Sequence, residues 1–211
     1  APGAGELIAA MLEDVLRVLP RTQHVHLGGD EAWTFGQHPD TSAFIREQGK
    51  SALYMRHVAP LLSRLGNAGI RPILWHDMLI DWEDAALRKL ARQSDLMVWG
   101  YSGHPDKTPR HFNTRYIRRF DAQGFTLWGA AAFKGADCQS GDLPDLERRR
   151  QNINAWMSVA TRFNFTGIVA TGWSRYSTQR AQCDPLEAAL DALFMAGKNF
   201  NGIKTEEHEN V

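Results

Sequence analysis

The sequence predicts a parallel α/β fold, either a (β/α)-barrel or an open doubly wound sheet. Three observations carry this expectation. Amphipathic helical segments and short apolar runs alternate strictly, the pattern of a parallel sheet covered by helices. Polar and aromatic residues recur just after the apolar runs, where parallel α/β folds gather function. No linker, low-complexity run or composition break interrupts the alternation across 211 residues.

Taken in order, residues 6–19 place Leu7, Met11, Leu12, Val15, Leu16 and Leu19 on one helical stripe that Pro20 closes. His24-Val25-His26-Leu27 reads as a buried strand running into Gly28-Gly29-Asp30-Glu31. A helix near 51–68 with a stop at Gly69 precedes the strand 71–75, and a helix near 83–92 precedes the strand 95–99. A helix near 112–123 leads to the strand 125–128, and one near 146–163 leads to 166–171. A last helix spans about 185–196, and a polar tail ends the chain. A complete barrel takes eight βα units and about 250 residues, whereas five strands are read here.

Apolar residues make up 43% of the chain, enough for a buried core, and 24 basic side chains balance 24 acidic ones. Surfaces that bind phosphates or anionic bilayers carry a basic excess, so nucleic acid is an unsuitable partner. No run approaches the roughly 18 apolar residues of a membrane span, and the first residues lack the pattern of a signal peptide. Two cysteines, Cys138 and Cys183, cannot build a disulfide scaffold or a four-thiolate metal site and read as inert thiols. The basic runs 115–119 and 148–150 read as solvated helix faces. The conspicuous count is seven tryptophans.

Four of those tryptophans fall at expected strand ends: Trp75-His76-Asp77, Trp99-Gly100-Tyr101, Trp128 with Phe133-Lys134 after it, and Trp173-Ser174-Arg175-Tyr176. Tryptophans can simply cap a core, but a cap needs no interleaved carboxylate, cation and hydroxyl. Flat aromatic walls with a few orienting polar groups suit a sugar ring, which has apolar CH faces and a rim of hydroxyls. Asp30-Glu31 follows two glycines that allow close approach of backbone and ligand. Adjacent acids can also serve as helix caps, and they are too close to flank a sugar in the usual two-carboxylate geometry. Substrate-assisted glycosidases avoid that constraint, because the substrate's own 2-acetamido oxygen is the nucleophile.

His26-Leu27-Gly28-Gly29-Asp30-Glu31 resembles the His-x-Gly-Gly-Asp-Glu signature of the family 20 glycoside hydrolases, the β-N-acetylhexosaminidases. Leu74 to Leu79, Leu127 to Ala136 and Thr171 to Tyr176 are similar to the hexosaminidase D branch, so the resemblance covers most of the chain in order. It implies a (β/α)8 TIM barrel of which residues 1–200 supply strands 4 to 8 with their helices, followed by a tail over 201–211. A missing N-terminal segment or a second chain would then complete the barrel. The first-strand arginine and the acid and histidine near the third strand have no counterpart here.

The resemblance further implies a retaining exo-glycosidase acting on glycans with terminal N-acetyl-β-D-hexosamine, with no metal and no cofactor. Glu31 would be the general acid and later the base, and Asp30 would orient the acetamido group. His26, Trp75, Asp77, Trp99, Tyr101, Trp128, Lys134, Trp173, Arg175 and Tyr176 would bind substrate. Relatives commonly place a tyrosine on the seventh strand, and Tyr101 is the substitute here. Many secreted relatives carry Trp-x-Glu on the last strand where this chain has Trp173-Ser174-Arg175. The Arg-Tyr form fits the hexosaminidase D branch, which favours N-acetylgalactosaminides and is cytoplasmic or nuclear. Two rivals stand beside this reading. One is an inactive fragment or carbohydrate-binding protein that keeps the aromatic face. The other is an amidohydrolase-type metal barrel built on His24-x-His26, against which the later strand ends offer only His76 and Thr171-Gly172-Trp173 supplies no acid.

Overall fold

The computed structural model describes residues 3–134, 144–173 and 189–202. The elements are α1 (Ala4–Val18), β1 (His24–His26), α2 (Pro39–Gln48), α3 (Lys50–Asn67), β2 (Arg71–Trp75), α4 (Asp84–Ala91), β3 (Asp95–Trp99), α5 (Thr114–Ala122), β4 (Leu127–Lys134), α6 (Leu146–Ala160), β5 (Phe165–Gly172) and α7 (Leu190–Phe200). A 3-10 turn, Asp77–Leu79, follows β2. The strands form one five-stranded sheet in chain order, β1-β2-β3-β4-β5. No described helix is long and apolar enough to cross a membrane. The chain divides into two compact units, Ala1–Leu96 with Gln123–Phe125, and Met97–Ala122 with Thr126–Val211.

In the first unit, α1 and α3 lay apolar stripes over β1. Leu12 of α1 packs with Leu61 and Leu65 of α3, and Ile8, Leu16, Val25, Leu27 and Ile70 close around them. The buried positions of α3, Tyr54, Val58, Leu61, Leu62 and Leu65, recur at helical spacing. The expected stop is present. Gly69 takes φ 71°, its N–H reaches the Gly66 carbonyl at 3.0 Å, and the Ile70 N–H reaches the Leu65 carbonyl at 2.9 Å. This is a Schellman cap, which needs the left-handed conformation that glycine adopts without a Cβ penalty.

β1 pairs in parallel with β2 in the register His24–Arg71, Val25–Pro72, His26–Ile73. The pairing extends past β1, from Leu27 N–H to Ile73 carbonyl (2.9 Å) and from Trp75 N–H to Gly28 carbonyl (3.0 Å). Because Val25 and Leu27 point into the helix-packed core, strand alternation turns His24 and His26 to the opposite face. Arg71 ties the far end of the unit together. Its guanidinium bonds Asp95 Oδ1 at 2.7 Å and the carbonyls of Ala91 and Arg92, where α4 ends.

In the second unit, β4 and β5 pair in parallel from Leu127–Phe165 to Lys134–Gly172, with irregularities at each end. Helix α6 packs on both strands, and α7 packs on α6 and β4. Ala130, Ala131 and Ala132 are wholly buried, and glycines permit close approach of the aromatic rings. A Cβ at Gly129 would lie 3.0 Å from the Trp156 ring, and one at Gly167 would lie 3.2 Å from the Trp128 ring.

Four expectations need correction. The strand expected at 125–128 runs over Leu127–Lys134, so Trp128 is its second residue and not its carboxyl end. Glycine and alanine are poor strand formers in isolation, but here they let α6 sit close to a strand buried on both faces. Helix α2 was not expected. His38 caps it by accepting the Asp40 N–H, and Pro39 occupies its first turn. Of the three arginines at 148–150, Arg149 is buried at 1% exposure, not solvated, with its guanidinium donating to the Tyr101 carbonyl. The last helix continues to Phe200, past its expected end near 196, while residues 185–188 of its expected start, Cys138, Cys183 and the tail beyond 202 lie outside the described residues.

Candidate active site

The turn after β1 has a backbone that few sequences tolerate. Gly28 and Gly29 take φ 74° and 87°, and Glu31, which is not glycine, takes φ 45°. A left-handed conformation costs an L-residue about 1–2 kcal/mol, so Glu31 is a strained residue held by its surroundings. One restraint is visible. The Glu31 N–H donates to Asp77 Oδ2 at 2.8 Å, linking the turn after β1 to the turn after β2. A hydrogen bond to a charged acceptor contributes about 1.5–3 kcal/mol, enough to offset the strain.

Tyr54, reaching in from α3, donates its hydroxyl to the Gly29 carbonyl at 3.2 Å. A Cβ at position 29 would collide with that hydroxyl, so glycine is required by contact as well as by φ. Trp82 packs edge-on against the Tyr54 ring with centroids 5.2 Å apart.

These groups set one another's protonation. Burial, followed by the negative charge of Asp77, pushes the Asp30 carboxyl up, and a bond from its own backbone N–H opposes the shift. Burial, then the charges of Asp30 and Asp77, pushes Glu31 up in turn. Tyr54 is pushed up by burial and by the same two carboxylates, which keeps it a neutral donor. Raised carboxyls beside like charges are what general-acid chemistry requires.

His26 lies beside the turn. Its Nδ1 accepts the Gly28 N–H at 2.9 Å, so the neutral ring carries its proton on Nε2, a buried atom with no hydrogen-bond partner. Burial pushes its pKa down to about 4. The ring packs on Trp75, centroid to centroid 4.3 Å. Among the described residues no three His, Cys, Asp or Glu side chains are grouped to hold a metal ion.

The second unit has an aromatic row of its own. Trp99 and Tyr101 stack at 5.2 Å and 25°, Tyr101 lies 6.1 Å from Trp173, and Trp99 lies 4.0 Å from His111. Helix α6 holds the backbone beneath this row. Trp156 Nε1 and Asn152 Nδ2 both donate to the Gly100 carbonyl, at 2.8 and 3.0 Å, and Asn152 also reaches the Gly103 carbonyl at 3.1 Å. The Trp173 N–H bonds the carbonyl of Lys134, whose side chain is buried at the end of β4.

Of the sequence-predicted site residues, the first unit brings together His26, Asp30, Glu31, Trp75 and Asp77, and the second brings together Trp99, Tyr101 and Trp173, with Lys134 one strand end away. Trp128 stands near the amino end of β4, over Gly167. Arg175 and Tyr176 lie outside the described residues. The sequence reading does not single out Tyr54 or His111. Tyr54 falls on the buried stripe of α3 and so looks like core, and His111 sits between strand and helix with no local signal.

A parallel α/β sheet in chain order with an acid pair in the turn after its first strand places the chain in the class of barrel-type α/β domains. Residues 1–117 match the family described as Glycosyl hydrolase family 20, catalytic domain, and the chain belongs to that family. Hexosaminidase D of Homo sapiens is 28% identical over 197 residues, 89% of this chain and 40% of that protein. Hexosaminidase D of Bos taurus is 26% identical over 197 residues, 89% of this chain and 56% of that protein. The chain thus spans about half the length of these curated relatives. Among solved structures, Dispersin B superposes with a TM-score of 0.54 at 14% identity, covering 93% of this chain and 58% of that one. Family and structural likeness together give the TIM-barrel fold.

Proposed function

We propose that this chain carries the catalytic carboxylates of a retaining exo-glycosidase that releases terminal N-acetyl-β-D-hexosamine by substrate-assisted catalysis. The observation that carries the reading is the adjacent pair Asp30 and Glu31, both pushed up by burial and by neighbouring negative charge in a strained turn. Glu31 delivers its proton to the glycosidic oxygen as the bond to the anomeric carbon breaks. The substrate's acetamido oxygen closes on that carbon to give an oxazolinium ion, and ionised Asp30 accepts the acetamido N–H and stabilises the positive charge. Glu31, now a carboxylate, takes a proton from water as it adds at the anomeric carbon, so two inversions retain the configuration.

Within the second unit, the row of Trp99, Tyr101 and Trp173 is a flat apolar surface of the kind on which sugar rings pack. The five strands correspond to strands 4 to 8 of the barrel. Supporting this, Leu7, Met11 and Val18 leave an apolar face of α1 more than half exposed, as a helix does when preceding βα units of the same barrel belong against it.

Incubation with chromogenic N-acetyl-β-galactosaminide and N-acetyl-β-glucosaminide, with the product anomer followed by proton NMR, tests the reading. Cleavage with retention, and tight binding of a thiazoline analogue of the oxazolinium, are expected. Analogue binding without turnover favours a carbohydrate-binding protein. The absence of both turnover and analogue binding overturns the proposal.

A further inference from the structure

We propose that Asp77 is a positioning residue for the general acid: by accepting the Glu31 N–H it fixes the left-handed backbone from which the Glu31 carboxyl projects, and it brings its own carboxylate to the same turn. The inference rests on the reading of Glu31 as the acid, and it gives Asp77 a role other than touching sugar.

The geometry is specific. Asp77 opens the 3-10 turn directly after β2, while Glu31 lies 46 residues earlier in the turn after β1, and the bond between them measures 2.8 Å. The ladder from Trp75 N–H to Gly28 carbonyl sets the two turns side by side, so sheet register delivers the carboxylate to the amide. Glu31 is the one non-glycine among the described residues with positive φ, and its amide is the one that Asp77 holds.

The titratable groups around Glu31 act in one direction. Asp30 of the same turn and Asp77 are both negative and push its carboxyl up, with burial in the same sense. Tyr54, from α3, stays neutral beside the two carboxylates. His26, from β1, is held neutral by burial. His76, next to Asp77 in sequence, is wholly buried.

Two variants separate charge from geometry. Asp77→Asn keeps an acceptor for the Glu31 N–H and removes the charge, while Asp77→Ala removes both. The carboxyl titration of Glu31 is read by carbon-13 NMR on side-chain-labelled glutamate, assigned with Glu31→Gln. The alkaline limb of the kcat profile is read on two aryl N-acetylhexosaminides, one with a poor and one with a good leaving group. In Asp77→Asn the Glu31 titration and the alkaline limb are expected to move together to lower pH. In Asp77→Ala, kcat on the poor leaving group is expected to fall by about 10–100-fold, a large part of the usual worth of a general acid, while the good leaving group, which needs no proton, loses much less. An unmoved Glu31 titration in Asp77→Asn, or equal losses on both leaving groups, overturns the proposal. Absence of turnover in the unaltered chain would instead overturn the glycosidase reading, and the NMR titration would still decide what Asp77 does to Glu31.

Discussion

The Tyr54 hydroxyl and the Gly29 carbonyl meet at 3.2 Å, so a helix residue 25 positions downstream holds the backbone one step before the acid pair. The contact exists because position 29 has no side chain. With φ 87° and the tyrosine oxygen filling the space a Cβ would need, Gly29 satisfies two conditions at once. Tyr54 is itself fixed by Trp82 and by its place on the buried stripe of α3. The turn is therefore braced from the helix layer by Tyr54 and from the neighbouring strand end by Asp77.

Gly29→Ala should lose stability by about 1–3 kcal/mol through backbone strain, with displacement of Tyr54 adding to it. Tyr54→Phe should lose about 1 kcal/mol, the usual net worth of one hydrogen bond. Urea denaturation monitored by tryptophan fluorescence measures both. Because Tyr54→Phe leaves room at position 29, the double variant should be less destabilised than the sum of the two single variants. Simple additivity would show that the collision is not what excludes alanine.

Glu31→Gln should slow hydrolysis of an unactivated hexosaminide by about 10²–10⁴-fold. The same substitution should raise stability at neutral pH. The sign follows from the direction of the shift: a carboxyl whose folded-state pKa lies above its unfolded value contributes stability that is full below the unfolded value and lost as pH rises through the folded one. At neutral pH the charged form is the disfavoured one, so a neutral isostere relieves it, and Asp30→Asn should act in the same direction. Steady-state kinetics and denaturation midpoints at pH 7 check the pair of effects; near-normal turnover in Glu31→Gln would remove the acid assignment.

The strand ends were legible wherever chemistry followed a run of β-branched or bulky residues: β2 and β3 fall at their expected residues, and the His-x-Gly-Gly-Asp-Glu run lies in the predicted turn. β4 was read short because Gly129 to Ala132 look like loop in sequence. Their place in a strand is decided by Trp156 of α6, which needs a partner without bulk, and that is a tertiary cause. Arg149 looks like a surface charge among three arginines, yet its partner is a backbone carbonyl at the end of β3, invisible to any local pattern. Tyr54 was missed for the same reason. Residues that act through the chain's own backbone leave no signature of the ligand in the sequence.

His26 should make stability fall in mild acid. Its folded-state pKa, about 4, lies below the ordinary histidine value of 6.5, so the unfolded chain takes up a proton first as pH drops. The loss should appear between those two values and amount to on the order of 2 kcal/mol once the ring's residual contact with water is allowed for. Above pH 6.5 the residue should contribute no slope. Urea unfolding from pH 4.5 to 7.5, compared with His26→Gln, isolates the effect from that of Asp30 and Glu31, which slopes the other way. A difference between the two proteins that does not vary with pH would mean that the folded ring takes up a proton as readily as the unfolded one.

Asn152 offers the last test, because one side chain closes three backbone gaps. Its Nδ2 donates to the Gly100 and Gly103 carbonyls, and its Oδ1 accepts the Ala132 N–H at 3.3 Å, next to the irregularity in the β4–β5 register. The residue is wholly buried. Asn152→Ala leaves the Ala132 amide and the Gly103 carbonyl without this partner, while Gly100 keeps the Trp156 indole. Ala132 is buried and Gly103 exposed, so at about 1–3 kcal/mol for a buried group left unpaired the variant should lose about 1–3 kcal/mol. Asn152→Asp should lose more, since a carboxylate cannot donate to the two carbonyls and places a charge in the core. The near-ultraviolet circular dichroism of the stacked Trp99 and Tyr101 should change in both, because the backbone they stand on has lost its anchor. If denaturation shows less than about 1 kcal/mol of loss and that signal is unchanged, the aromatic row is held by Trp156 and Arg149 alone.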